Sequence, residues 1–256
     1  KEDLFIRLLN KKKHEKALEN AVYKEVDGIA CVLYMKGVSV MAVFEHEIRK
    51  DSLVEWGLDE NEVYENALLN TYLLTPPRIY QVGTFSLNPD YDGEDFMAYG
   101  YDNYGMRLCG ERVGYCLSTD KRTNGAVAFF AGVAQKLSEI LDDDFYIVFT
   151  SIHEAMIHPK SKCYPEGLER ILKETIEDAT PDEDFLADEI YYYDRCTRKI
   201  AKWDKVVSRV TLPVGRVELV PDENVRKHLK NYKKGKLSMH VNLTYEQFVQ
   251  ELRNWI

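Results

Sequence analysis

The stretch DFYIVFTSIHEAMIHP (residues 144–159) decides the fold. Residues 144–149 (DFYIVF) are a short apolar run, β-branched and aromatic, which reads as a buried strand. Residues 153–158 (HEAMIH) read as a second strand, reached through the tight Thr150-Ser151-Ile152 link, and strands joined so closely pair antiparallel. Upstream, residues 112–118 (RVGYCLS) form a further strand and residues 124–141 a helix capped near Asn124. Downstream, a helix runs from Pro165 to about Asp178, with proline at its front and Glu166 beside the positive end of its dipole. Residues 188–194 (DEIYYYD) and 198–203 (RKIAKW) make a hairpin across Arg195-Cys196-Thr197. Antiparallel pairs interleaved with helices predict an α+β fold: a mixed or mostly antiparallel sheet built from hairpins, with helices packed on one face.

The N-terminal third adds to this pattern. Leu4, Phe5, Leu8 and Leu9 predict a helix within residues 3–20, whose lysines complement its negative C-terminal end. Residues 28–46 predict a hairpin turning at Lys36-Gly37. Residues 51–72 are helical, with Leu58-Asp59 starting the second part and Thr75-Pro76-Pro77 ending it. Residues 81–111 are rich in Gly, Asn, Asp and Tyr, as in a long loop. Beyond Trp203 the character changes. A β-rich segment (206–220) precedes a basic stretch with Arg226, Lys227, Lys230, Lys233, Lys234 and Lys236, and a short amphipathic helix (244–256) carries Thr244 and Gln247 in a capping-box pattern. The expected organisation is an α+β domain over residues 1–203 and a C-terminal extension over 204–256.

Composition narrows the function classes. The chain has 256 residues, 45% hydrophobic and 30% charged, with a formal charge of −9. That charge disfavours non-specific contact with nucleic acid or anionic membranes. No run approaches the roughly 18 apolar residues of a spanning helix. The five cysteines have irregular spacing and no CxxC pair, which points to reduced thiols in the cytoplasm. No cofactor or metal is expected. His153 and His158 lie five apart, a spacing that suits no shared ligand set, and Asp142-Asp143-Asp144 lacks the glycine and terminal glutamate of a calcium loop. TNGAVAFF (123–130) has one glycine where a phosphate loop needs two and a lysine.

Five segments, RLLN (7–10), WGLDENEVYENALLNT (56–71), TNGAVAFF (123–130), DFYIVFTSIHEAMIHP (144–159) and DEIYYYD (188–194), fall in an order that resembles a Firmicutes family, number 5688 of the domains of unknown function, over residues 1–203. The resemblance implies a fold type and a gut-bacterial or mobile-element setting, and no activity. TYEQFVQELRNWI (244–256) resembles the segment that opens such proteins: either a second copy begins at about Thr244, or the element order is altered, or the likeness is that of any short amphipathic helix, and the expectation is that this helix packs on the core with Phe248 and Trp255.

Three functional readings follow. The leading one is a non-catalytic cytoplasmic protein that binds another protein through its Tyr-rich loop (Tyr91, Tyr99, Tyr101, Tyr104) and a sheet edge bearing Tyr192. The second is a hydrolase or transferase using Ser151, His153 and Glu154, since a nucleophile needs an adjacent base and an orienting acid. Against it, side chains at 153 and 154 of an extended strand point to opposite faces, so the cluster reads as scaffolding. The third is a nucleic-acid-associated protein using the basic stretch 226–236.

Overall fold

The computed structural model describes residues 4–38, 43–98, 100–101 and 114–203. Two antiparallel sheets share one core. The first is built from β1 (Leu4–Asn10), β2 (Tyr23–Val26), β3 (Ile29–Val38) and β4 (Val43–Glu47). β3 is its spine, pairing with β1 on one side and with β2 and then β4 on the other. The second sheet contains β5 (Pro77–Gln81), β6 (Tyr115–Thr119), β7 (Phe145–Phe149), β8 (Ala155–Pro159), β9 (Tyr191–Asp194) and β10 (Lys199–Lys202), in the spatial order β10-β9-β7-β8-β6-β5. Its pairings are all antiparallel.

The helices are α1 (Glu15–Leu18), α2 (Lys50–Trp56), α3 (Glu60–Leu74), α4 (Val82–Leu87), a 3-10 helix (Gly125–Ala131), α5 (Val133–Leu141) and α6 (Pro165–Ala179), with a single 3-10 turn at Lys160–Lys162. One core joins Leu4, Ile6 and Leu8 of β1 to Val63, Ala67 and Leu68 of α3, the 3-10 helix, α5, and Phe145, Ile147 and Phe149 of β7. The other face of β7, with Tyr146 and Val148, packs on Leu168 and Leu172 of α6. Helices therefore cover both faces of β7. That is why its sequence is an apolar run rather than an alternation. The burial of each large apolar side chain supplies about 1.5–3 kcal/mol.

Four local expectations change. The predicted N-terminal helix is strand β1. Residues four apart share a face in a strand as well as in a helix, so Leu4 and Leu8 cannot discriminate. Ile6 does: it is fully buried beside them, where a helix would turn it away. The 28–46 hairpin forms, but β3 runs straight through Lys36-Gly37 and pairs Gly37 with Phe44. The Phe44 ring lies on Gly37, where an added Cβ would sit 2.3 Å from it. The 124–141 helix is broken in two at Gly132 (φ 83), and Asn124 precedes the first part with φ 57 and no side-chain capping bond. Within the expected loop 81–111, α4 forms directly after β5.

The free edge of β1 is finished by side chains. The Ile6 N–H donates to Thr71 Oγ1 (2.7 Å), and Asn70 Nδ2 donates to the Leu4 carbonyl (2.9 Å). These groups satisfy the backbone where, among the described residues, no further strand pairs. Asp59 caps α3 by accepting the Glu62 N–H, and Gly57 closes α2 in the left-handed region.

Candidate functional site

Ser151, His153 and Glu154 lie in the bend between β7 and β8, with β8 starting only at Ala155. The extended-strand premise therefore does not apply to them, and their hydrogen bonds decide what they do. Ser151 Oγ accepts the backbone N–H of His153 (3.0 Å), a local turn bond. Glu154 Oε1 accepts the Thr150 hydroxyl (2.9 Å). His153 Nδ1 accepts the Asn124 N–H (3.2 Å), and Nε2 lies 3.1 Å from Asp184 Oδ1. With Nδ1 accepting, the proton of the neutral ring sits on Nε2 and points at Asp184. A general base needs one ring nitrogen free for the nucleophile's proton, and here backbone and carboxylate hold both. The three side chains engage three different sets of partners.

The surrounding bonds extend this scaffold. Ser118 Oγ donates to the His153 carbonyl (2.8 Å), which also accepts the Gly125 N–H (2.9 Å). The Ile152 N–H donates to the Asp184 carbonyl (2.9 Å), and Thr180 Oγ1 to the Thr150 carbonyl (2.8 Å). At Gly125 an added Cβ would lie 2.4 Å from Ser118 Cα and 2.6 Å from the His153 carbonyl oxygen. The bend thus ties β6, the 3-10 helix and residues 180–184 together at one end of the second sheet. Asp184 is the partner that sequence reasoning missed; it sits 31 residues from His153 in an acidic stretch with no distinguishing spacing.

The described tyrosines are also engaged. Tyr101 donates to Glu94, and Tyr91 packs edge-on against Tyr80 (5.8 Å). The Tyr192 hydroxyl donates to Asp144 and receives Lys160 Nζ (2.9 Å). Burial and the Asp144 carboxylate together raise the Tyr192 pKa. Burial pushes Asp144 upward, but the bonds from Tyr192, the Arg195 N–H and Lys160 prevail, holding its carboxyl below the usual range. Asp143 accepts the Ser161 N–H and Asp142 pairs with Arg195, so the acidic turn is bound to its neighbours. Tyr99, Tyr104, the basic residues Arg226, Lys227, Lys230, Lys233, Lys234 and Lys236, and the helix at 244–256 lie outside the described residues.

Arg122 holds the start of the Tyr-rich segment. Its guanidinium donates to the carbonyls of Phe85 (2.7 Å), Asn88 (2.6 Å) and Tyr91 (2.9 Å) and lies over the rings of Tyr80 and Phe85. Burial raises the Cys116 thiol well above its ordinary value, which disfavours the thiolate. The four described cysteines are free thiols. Among the described residues no cluster of metal-ligating side chains occurs, and no helix is long and apolar enough to cross a membrane.

One sheet edge stands open among the described residues. β10 pairs on its inner side with β9, in the register Ile200↔Tyr193 and Lys202↔Tyr191. The Lys202 N–H turns outward to Asp27 Oδ2 (2.8 Å). Ile200, two residues away, has the same orientation, so its N–H and C=O also face outward. Beside it runs a groove of about 310 Å³, lined by Val26, Phe129, Phe130, Tyr193 and Ile200 together with Arg198 and Lys199.

The chain belongs to a family of unknown function (DUF5688), whose model matches residues 1–195. No curated protein and no solved structure matches it.

Proposed function

We propose that this member of the family is a non-catalytic, cytoplasmic protein-binding module that takes an extended segment of a protein partner onto the outer edge of β10. The observation that carries this reading is the outward N–H and C=O of Ile200, unpaired among the described residues and set beside an apolar groove. Strand addition uses such an edge for main-chain hydrogen bonds and an adjoining pocket for an alternate side chain. The free thiols agree with a reducing compartment. The engagement of Ser151 and His153 by backbone N–H groups, and of Glu154 by the Thr150 hydroxyl, favours binding over catalysis. The tyrosine hydroxyls at 101 and 192 are likewise held within the chain, so the edge, not the tyrosine loop, is the contact proposed.

The charge at the groove gives the partner its chemistry. Two β10 edges paired antiparallel through Ile200 would oppose Arg198 to the Lys202 of the other copy, which disfavours self-pairing. An acidic segment with an apolar residue for the groove fits instead. The test is photo-crosslinking from position 201 in the full chain, with the captured peptide mapped by mass spectrometry. The expected result is a single acidic, extended segment, lost in Ile200→Pro and retained in Ile200→Val. Proline at an outward-facing edge position removes a donor without breaking the ladder. Equal capture by Ile200→Pro and the parent chain, with both folded by circular dichroism, overturns the reading.

A further inference from the structure

The lysines at 11–13, expected to complement a helix dipole, instead follow a strand and line a cleft of about 700 Å³ between the two sheets. The segment Phe185–Glu189 and Lys202 of β10 also line it. A cleft of this size between two sheets is of the kind that holds a small molecule. We infer that it binds a phosphorylated small molecule whose organic part carries hydroxyl or amino donors.

Four lysines, Lys11, Lys12, Lys13 and Lys202, line this one cleft in a chain of net charge −9. Three of them have carboxylate partners: Lys11 with Glu25 (2.6 Å), Lys13 with Asp182 (3.0 Å) and Lys202 with Glu189 (2.6 Å). All three pairs are solvent-exposed, so each contributes little and can be exchanged for a stronger anion. Lys12 has no ion pair among the described residues. A phosphate dianion accepts from several ammonium groups at once, which no single carboxylate in the cleft does.

The backbone holds this arrangement in place. Gly28 has φ +90, and a Cβ there would lie 3.3 Å from Lys202 Nζ, so glycine lets the amine rest against the turn. The Asn10 side chain donates to the Leu186 carbonyl (2.8 Å), and Tyr191 donates to the Asp27 carbonyl (2.7 Å). These bonds join the walls across the cleft. Glu15 and Asp188 also line it, and their acceptor oxygens select an organic part bearing donors rather than a bare polyanion. This inference stands apart from strand addition, which uses the outer backbone of β10 and not the lysine side chains.

The test is calorimetric titration of the full chain with glucosamine 6-phosphate, inorganic pyrophosphate and unphosphorylated glucosamine. The expected result is saturable binding of glucosamine 6-phosphate with Kd below about 1 mM. Glucosamine should bind at least about tenfold more weakly, and Lys12→Gln should weaken the phosphate ester by a similar factor, the scale of one lost charge-assisted bond. Lys202→Gln should act in the same direction, and circular dichroism verifies that both variants are folded. Equal affinity for glucosamine, unchanged affinity in both variants, or no saturable binding of either phosphate probe overturns the inference. So does co-sedimentation with phosphatidic-acid vesicles in place of binding to the soluble ester, which would assign the lysines to a lipid surface.

Discussion

His153→Ala separates scaffold from catalyst at the β7–β8 bend, because the two roles predict opposite stability effects. A catalytic imidazole can be removed with little change in melting temperature. A structural one leaves orphans: here the Asn124 N–H loses its acceptor at 3.2 Å and Asp184 loses its partner at 3.1 Å. An orphaned, partly buried N–H costs about 1–2 kcal/mol. The Asp184 contact adds about 1 kcal/mol, discounted because His153 and Asp184 are 32% and 21% exposed. The sum, roughly 2–3 kcal/mol, lowers the melting temperature of a domain this size by about 5–10 °C. The assay is thermal unfolding followed by circular dichroism at pH 7.5, with urea midpoints as a second measure. His153→Asn gives an internal control, since its side-chain oxygen can replace Nδ1 as acceptor for the Asn124 N–H, and about half of the loss should return. A melting temperature within 1–2 °C of the parent for His153→Ala refutes the scaffold assignment, as the orphan cost would then be absent.

Three further outcomes follow from other parts of the fold. Thr71→Val keeps the volume but removes the buried acceptor of the Ile6 N–H and the donor to Ala67; a destabilisation of about 1–3 kcal/mol is expected in urea unfolding. Arg122→Ala frees the carbonyls of Phe85, Asn88 and Tyr91 together, so hydrogen exchange should rise locally over residues 85–91 while protection in β7 is kept. Burial pushes the His158 imidazole down to about 4. Above about pH 6.5 this residue is neutral in both folded and unfolded chains, so its contribution is complete there. As the pH falls towards 4 the unfolded chain alone takes up the proton, and roughly 3 kcal/mol is lost across that window. NMR titration of the His158 ring checks the value, and a midpoint near 6.5 contradicts it.

The sequence was most legible where one local pattern excluded its alternatives. DFYIVF is too short for a buried helix and too apolar for an exposed strand, and it lies at the centre of the larger sheet. Asp59 with its acidic first turn and the Pro76-Pro77 stop bounded α3 closely, because capping chemistry is local. The N-terminal segment is ambiguous in the sequence because Leu4 and Leu8 fit both periods, and what decides between them is pairing with β3, some 25 residues away. The same holds at Gly132: the apolar spacing of 124–141 runs continuously, but the chain must turn beneath β6 at Gly125 and leave again into α5.

The candidate site was harder to read for a physical reason. Ser, His and Glu within four residues look like a catalytic group because side chains alone are visible in a sequence, while the competing partners are backbone groups that every residue carries. At the bend, Ser151 is satisfied by the N–H of His153, and His153 by that of Asn124. Neither donor leaves a mark in the letters. The segments that carry the family resemblance repeat this pattern. Asn70 finishes the β1 edge, Gly125 permits a close backbone approach, and Asp194 accepts the N–H groups of Cys196 and Thr197 in the β9–β10 turn. Their polar groups work on the chain itself, so they specify a fold and leave its surfaces to set function. On that logic the groups proposed to take a ligand lie mostly outside those segments, in the open backbone of Ile200 and the lysines from 11 to 13, with Asp188 the exception. Substitutions there should alter binding and leave folding cooperative, whereas substitutions inside the motifs should do the reverse.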